Sequence, residues 1–188
     1  MKGSKSTRQA AAALFFVAGV FSAPFSLAGL EEDYEKANEA QGRGDFMVAM
    51  PLLKKTADAG YAPAQALFAD MLDASDSPDE AIGYYIKAAE QGDAHGQTGL
   101  ARMLAAGRGV ARDNAKAAEW LQKAAAQDYL DAVKVLMGAY QTGAYGLTPD
   151  PEQAKVLEAR FKVLNDKFVK EQQEREKAKA AKNSEQAK

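Results

Sequence analysis

The sequence predicts an all-α protein, a short solenoid of stacked αα-hairpins, and three observations predict it. A segment recurs: Lys55-Thr56-Ala57-Asp58-Ala59-Gly60 returns as Lys87-Ala88-Ala89-Glu90-Gln91-Gly92 and again as Lys123-Ala124-Ala125-Ala126-Gln127-Asp128, at offsets of 32 and 36 residues. A fixed period of that size marks a repeat architecture. Behind each copy the large apolar residues align, with Phe68, Leu100 and Leu136 eight residues on and Leu72, Leu104 and Tyr140 twelve on, a spacing that lies on one face of a helix. Finally, no hairpin of this length buries its apolar face alone, so the copies must stack around a shared core.

The chain starts with a segment set apart from that array. Lys2, Lys5 and Arg8 form a cationic start and Ala10 to Phe21 is an uncharged, mostly apolar run, too short to cross a bilayer comfortably. Small residues follow at Ser22, Ala23, Ser26 and Ala28, and Ser26-Leu27-Ala28 places small side chains where a signal peptidase needs them. Residues 1–28 are therefore expected to be a signal peptide cleaved after Ala28, leaving a periplasmic or secreted chain with no stable membrane insertion. The chain has no cysteine, so neither a lipid-modified cysteine nor a disulfide framework is expected.

The array follows at 29–165. Its helices are expected at roughly 31–42, 46–58, 62–73, 78–91, 94–106, 114–127, 130–142 and from 151 onward, taken in pairs. Turns are marked by Gly42 and Gly44, by Ser75 to Pro78, by Gly107 and Gly109, and by Gly143 to Pro151. Asp45, Asp79, Asp113 and Asp150 precede the second helices and suit an N-cap or first turn. Pro63, Pro78 and Pro151 suit a first helical turn, whereas Pro51 falls inside 46–58 and predicts a kink there or a later start. Small residues such as Ala94, Gly96, Gly99 and Ala101 would let neighbouring helices approach closely. Trp120, Tyr84 and Leu52 align at an apolar position and are expected in the core. Residues 166–188 hold no large apolar side chain after Val169 and are expected to be the charged end of the last helix, frayed or disordered.

Composition narrows the chemistry. Of 188 residues 47% are hydrophobic and 27% charged, and the formal charge of −2 supplies no basic field for nucleic acid. With one histidine, His95, and no cysteine, thiol chemistry and histidine-rich metal sites are excluded. His95 aligns with Pro63 and Asp131 and is expected to face solvent. The acidic loop of Asp73, Asp76, Asp79 and Glu80 has the wrong order for a helix-loop-helix calcium motif and no glycine for its turn. No metal and no cofactor are expected.

One stretch is specific. Gly92-Asp93-Ala94, Leu100, Gly107-Arg108-Gly109-Val110, Asp113, Lys116-Ala117 and Trp120, closing on Lys123-Ala124-Ala125, resembles a full repeat of the Sel-one-like family, a branch of the tetratricopeptide-type helical repeats. The resemblance covers about residues 34–160, is strongest at 81–128, and leaves two or three repeats after an opening pair from Tyr34 to Gly60. It implies a right-handed superhelix whose concave face is built from the first helix of each hairpin, and a protein-binding role. On that face Asp70, Arg102 and Lys134 vary in chemistry at aligned positions and are the ligand candidates, with Gln65 and Gln97 as amide partners for a peptide backbone. Tyr61 and Tyr129, aligned across the array, join them. Some cysteine-rich relatives of the family have been described as acting on β-lactams, but this chain has no Ser-x-x-Lys, no Gly-x-Ser-x-Gly and no phosphate-cradling loop. The sequence thus points away from an enzyme and toward an exported adaptor of a cell-envelope assembly, secretion or signalling complex. A peptidoglycan- or carbohydrate-associated binding protein is the alternative, and a β-lactam hydrolase the remote one.

Overall fold

The computed structural model describes residues 27–186. The expected signal segment therefore lies outside the described residues up to residue 26, and the expected cleavage point after Ala28 falls in the first turn of the first helix. Eight α-helices follow one another: α1 (Leu27–Gly42), α2 (Phe46–Asp58), α3 (Ala62–Ala74), α4 (Pro78–Glu90), α5 (Ala94–Ala106), α6 (Asn114–Ala126), α7 (Leu130–Thr142) and α8 (Pro151–Gln186), with a 3-10 turn at Ala144–Gly146. Consecutive helices pair as hairpins, and α3, α5 and α7, the first helices of successive hairpins, also lie against one another. These form the inner face of the array.

The recurring segment explains why the hairpins stack. Ala57, Ala89 and Ala125 are buried, and the residue before each, Thr56, Ala88 and Ala124, is wholly inaccessible. Small side chains there let the next hairpin close on the helix, with each hidden methylene contributing about 0.8 kcal/mol. Thr56 keeps its place because its hydroxyl is donated to the carbonyls of Leu52 (2.8 Å) and Leu53 (3.0 Å), as buried polar groups require. The large side chains filling the space between hairpins are Leu53, Tyr85 and Leu121. That corrects the expected register by one residue: Leu52, Tyr84 and Trp120 are half-buried at the edge of the core. Their rings are finished from outside, Trp120 by Lys123 Nζ at 4.0 Å and Tyr84 by Lys87 Nζ at 5.1 Å.

The helix ends follow local chemistry. Asp113 accepts from the Lys116 amide at 3.0 Å, Asp150 from the Glu152 and Gln153 amides at 3.0 Å each, and Asp93 from the Gly96 amide at 2.7 Å. Asp45 stands at the N-cap of α2 but makes no side-chain cap bond, and Asp79 lies one residue inside α4. Pro51 neither delays nor ends α2, which starts at Phe46; the carbonyl it leaves without a donor is that of Met47, 87% exposed and open to water. The Gly107-Arg108-Gly109 turn clasps the preceding hairpin. Gly109 has φ +63°, and a Cβ there would sit 2.3 Å from the Pro78 carbonyl oxygen, while Arg108 bonds the Asp73 carboxylate (Nε, 3.0 Å), the Asp73 carbonyl (3.3 Å) and Asp76 (3.4 Å). The acidic loop is thus neutralised by an arginine of the next repeat.

The last helix is the longest. Its first turns pack on α7 through Ala154 and Leu157, and Arg160 fastens it to Asp128 at 2.6 and 2.7 Å. Asp128 holds the left-handed conformation (φ 61°) that Gly60 and Gly92 hold in the other copies, a conformation aspartate tolerates better than most residues. Helix α8 extends into the charged stretch beyond 165. It continues unbroken to Gln186, about 54 Å at 1.5 Å per residue, and returns along the array until Gln172 and Arg175 stand across a cavity of about 450 Å³ from Glu35 and Glu39 of α1.

Candidate functional site

The inner face carries a polar cluster whose centre is Asp70. Helix α3 supplies Asp70, α4 brings Tyr85 up from behind, and α5 presents His95, Thr98 and Arg102 at the three- and four-residue spacing of one helical face. One carboxylate oxygen accepts the Tyr85 hydroxyl and lies 3.4 Å from Arg102 Nη2; the other meets His95 Nε2 at 2.7 Å. Tyr129, at the N-cap of α7, lays its ring over His95, with centroids 6.0 Å apart and planes 25° apart.

Glycine makes this possible. Tyr85 is 1% exposed, and its ring runs over Gly99 of α5 so closely that a Cβ there would be 2.1 Å from Cε1 and 2.4 Å from Cδ1. Only a residue without a side chain leaves the ring room to carry its hydroxyl to Asp70. Gly96, where a Cβ would stand 2.5 Å from that of Ala88, lets α5 approach the end of α4 in the same way. The helix propensity lost at each, about 1 kcal/mol, is offset by this packing.

The network sets the protonation of its members. Burial would raise the Asp70 carboxyl, but the His95 hydrogen bond and charge, the Tyr85 hydroxyl and Arg102 together hold it below the usual carboxylate range. Burial would depress His95, and the hydrogen bond and negative charge of Asp70 more than reverse that, so its value lies above the ordinary one. The phenols of Tyr85 and Tyr129 are pushed up by burial and by neighbouring carboxylates, Asp70 foremost for Tyr85 and Asp131 for Tyr129. All of these groups favour a charged Asp70–His95 pair and neutral phenols near neutral pH.

In front of the cluster is an open groove of about 500 Å³, bordered by α3, α5 and α7 and lined by Asp70, His95, Arg102, Tyr129, Asp131 and Lys134 among others. Four of the seven residues singled out from sequence, Asp70, Arg102, Lys134 and Tyr129, thus meet at one place. Two others do not belong to it. Gln65 and Gln97 are buried, and each donates to a backbone carbonyl of the preceding helix, Ala57 (3.1 Å) and Ala89 (3.4 Å), while accepting from a glutamine at the end of the next, Gln91 (2.7 Å) and Gln127 (2.8 Å). Their amides are spent holding hairpins together and are not offered to a peptide. Tyr61 packs its ring edge-on against Tyr34 at 5.4 Å and does not line the groove. His95, expected in solvent, is instead the hinge of the cluster. Its signal in the sequence was Asp70, seven residues after the same point of the preceding repeat at Pro63.

No hydroxyl of the cluster is set up as a nucleophile on His95. The Thr98 hydroxyl, the aliphatic one in the groove, is donated to the Ala94 carbonyl at 2.7 Å, and that of Tyr85 to Asp70; neither is hydrogen-bonded to His95, as an activated nucleophile would be. Arg102 gives Asp70 one long contact and is 53% exposed, and Lys134 has no ion-pair partner among the described residues. Two cations therefore have donors to spare at the groove. No group of metal-binding side chains occurs among the described residues, and no described helix is long and apolar enough to cross a membrane.

Comparison with known proteins fits this architecture. A Sel1 repeat model matches residues 72–93, 94–129 and 135–157. No curated protein matches the chain. Among solved structures, a Sel1 repeat protein from Oxalobacter formigenes is 25% identical with a TM-score of 0.62, over 71% of this chain and 58% of that one. A sel1 repeat protein from Klebsiella pneumoniae subsp. pneumoniae is 28% identical with a TM-score of 0.63, over 72% and 68%. A protective antigen of uropathogenic Escherichia coli strains, displaying an SLR fold, shares the fold at 24% identity and a TM-score of 0.61, over 74% of this chain and 34% of that one. The chain thus spans less than two thirds of two of these three relatives. With its hairpins, its clasping Gly-Arg-Gly turn and three stretches that match the Sel1 repeat model, the chain is a helical solenoid similar to Sel1 repeat proteins.

Proposed function

We propose that this protein is a binding adaptor that takes a segment of a partner protein on its inner face, at the groove between α3, α5 and α7. Sel1 repeats are in general protein–protein interaction modules, and the observation that carries the reading to this groove is the pairing of Arg102 with Lys134. Both cations line it, and Asp70, itself held by Tyr85 and His95, orients the first of them through a contact at 3.4 Å. Such preorganisation lowers the ordering cost of binding.

The charged start and apolar run of residues 1–28 support export, and so a partner in the cell envelope or outside it. Carbohydrate binding would call for exposed aromatic platforms. Here Tyr34 and Tyr61 meet edge-on, Phe68 and Tyr84 meet edge to face at 5.0 Å, and Tyr129 covers His95; the exposed rings of Phe46 and Phe168 do not line the groove, which favours a polypeptide partner there.

The test is in-cell crosslinking and pull-down of the full-length chain beside an Arg102→Glu, Lys134→Glu double variant, with captured proteins and glycans identified by mass spectrometry. A protein recovered by the wild type and lost by the folded variant is the expected result. Recovery of glycan fragments alone, indifferent to the double change, overturns the adaptor reading and the choice of face together.

A further inference from the structure

The groove does not end at α7. A second cavity, of about 640 Å³, adjoins it and shares Tyr129 and Asp131 with it. Its two walls come from different parts of the fold. On the array side stand Ala94 and Leu130; on the other side stand Leu164 and Phe168 of α8. Phe168 is 49% exposed, so a large aromatic ring lines this gap while α8 leaves much of it uncovered. The wall is held at its root, since the Arg160–Asp128 contact fixes α8 to the α6–α7 turn two residues before Leu130. The cleft is therefore a defined one, in which the apolar side chains share the lining with Gln127, Asp128, Lys167 and Glu171.

We propose that the two cavities form one bipartite cleft for an extended segment of a partner polypeptide, which sets an Asp or Glu side chain between Arg102 and Lys134 and a large apolar side chain between Leu130 and Phe168. This rests on the inner-face reading above and adds the chemistry of the segment. Charge complementarity selects the acid. Asp70 is already matched by Tyr85, His95 and one contact from Arg102, which leaves the outer edge of Arg102 and the Lys134 ammonium to be matched by the ligand. Asp131, on the border between the cavities, repels an acid from the apolar half and so sets the direction of the segment.

Helix geometry sets the spacing. Lys134 lies four residues beyond Leu130 on α7, about 6 Å along the axis. An extended chain covers that distance in about two residues. The acid and the apolar residue are accordingly two apart, on the same side of the segment. The inner face continues past the acid position over α5 and α3, so the chain runs on there and the carboxylate belongs to a side chain and not to a chain terminus.

The experiment is selection of a displayed random dodecapeptide library on the whole chain, on Arg102→Glu, Lys134→Glu, and on Phe168→Ala, each shown by circular dichroism to keep the wild-type helix content. Phe168→Ser is carried in parallel, so that one ill-behaved variant does not decide the result. Peptides enriched on the wild type are expected to pair Asp or Glu with Phe, Leu, Ile, Met or Trp two positions away. A resynthesised peptide should bind at least tenfold more weakly when its acid becomes the amide, and the apolar preference should vanish on both Phe168 variants while the acid preference survives. Peptides that need the two cations but ignore Phe168 overturn the bipartite cleft and leave the inner-face reading standing. Peptides indifferent to all the variants, or no enrichment at all, overturn both. Loss of binding on amidating only the peptide terminus overturns the assignment to an acidic side chain.

Discussion

Replacing Gly99 with alanine is the sharpest test of how the site is built, because general expectation and this structure give opposite signs. In a helix interior glycine to alanine gains about 1 kcal/mol, and Gly83 of α4, with nothing within 4 Å of a built Cβ, should show that gain. At Gly99 the added methyl meets the Tyr85 ring at 2.1 to 2.7 Å, inside any van der Waals contact, on a side chain that is 1% exposed and has nowhere to retreat. Overpacking of that kind costs about 1–3 kcal/mol. If the ring moves, the hydroxyl-to-carboxylate bond to Asp70 goes with it, about 1.5–3 kcal/mol for a bond to a charged group. Net of the propensity gain, Gly99→Ala should destabilise by about 2–5 kcal/mol, and Gly83→Ala should stabilise by up to about 1. Urea unfolding followed by circular dichroism measures both. At roughly 2–4 °C per kcal/mol for a chain of this size, the two variants should part by more than about 5 °C in thermal midpoint. A Gly99→Ala protein as stable as wild type would refute the packing logic of the whole cluster.

Other consequences follow from the same contacts. His95 has a folded value above its ordinary one, so its stabilising contribution is complete below about pH 6.5 and is lost as pH rises through the raised folded value; the thermal midpoint should fall across that window in wild type and not in His95→Gln, and ring-proton NMR should show the titration shift downward in Asp70→Asn. Asp70 works in the other direction. Its lowered value gives stability present above about pH 3.9 and lost as pH falls through the folded value, a loss that Asp70→Asn removes from an acid titration monitored by circular dichroism. Gln97→Met removes the bond to the Ala89 carbonyl, which keeps the Gly92 amide, and the bond from the exposed Gln127 amide, and should cost about 1 kcal/mol in urea unfolding. Asp113→Ala, which removes a cap on the Lys116 amide, should cost about 1 kcal/mol, whereas Asp45→Ala, which removes no cap bond, should stay within about 0.5 kcal/mol.

Helix order and most helix ends were legible in the sequence because repetition supplies several copies of the same evidence: 46–58, 94–106 and 130–142 are found as expected, and others shift by a residue or a few. Position on the inner face was legible for the same reason, which is why Asp70, Arg102, Lys134 and Tyr129 come together. What a single-helix pattern does not reveal is which polar residue finds a partner in the neighbouring hairpin. His95 looked exposed because its aligned positions hold proline and aspartate, yet its partner is 25 residues away. Gln65 and Gln97 looked like peptide ligands, although Gln91 and Gln127 carried the missing signal, glutamines recurring at the next helix end in the two copies that use them and absent, as Val133 is apolar, from the third. The return of α8 along the array was not legible at all, since its direction is fixed by contacts such as Arg160 with Asp128 and not by its own composition.

The glutamine bridges also bear on how such a chain can grow. Each copy carries both glutamines of its bridge, Gln65 with Gln91 and Gln97 with Gln127, and asks of the preceding copy only a backbone carbonyl, which any sequence provides. As far as this bridge is concerned, a gene segment encoding one hairpin unit can be duplicated or lost by unequal recombination, because the glutamine junction arrives already joined, whereas contacts such as Asp70 with His95 and Arg108 with Asp73 need the particular neighbour. Natural variants of this protein that differ in length should differ by whole hairpins, with the breakpoints near Gly60, Gly92 and Asp128.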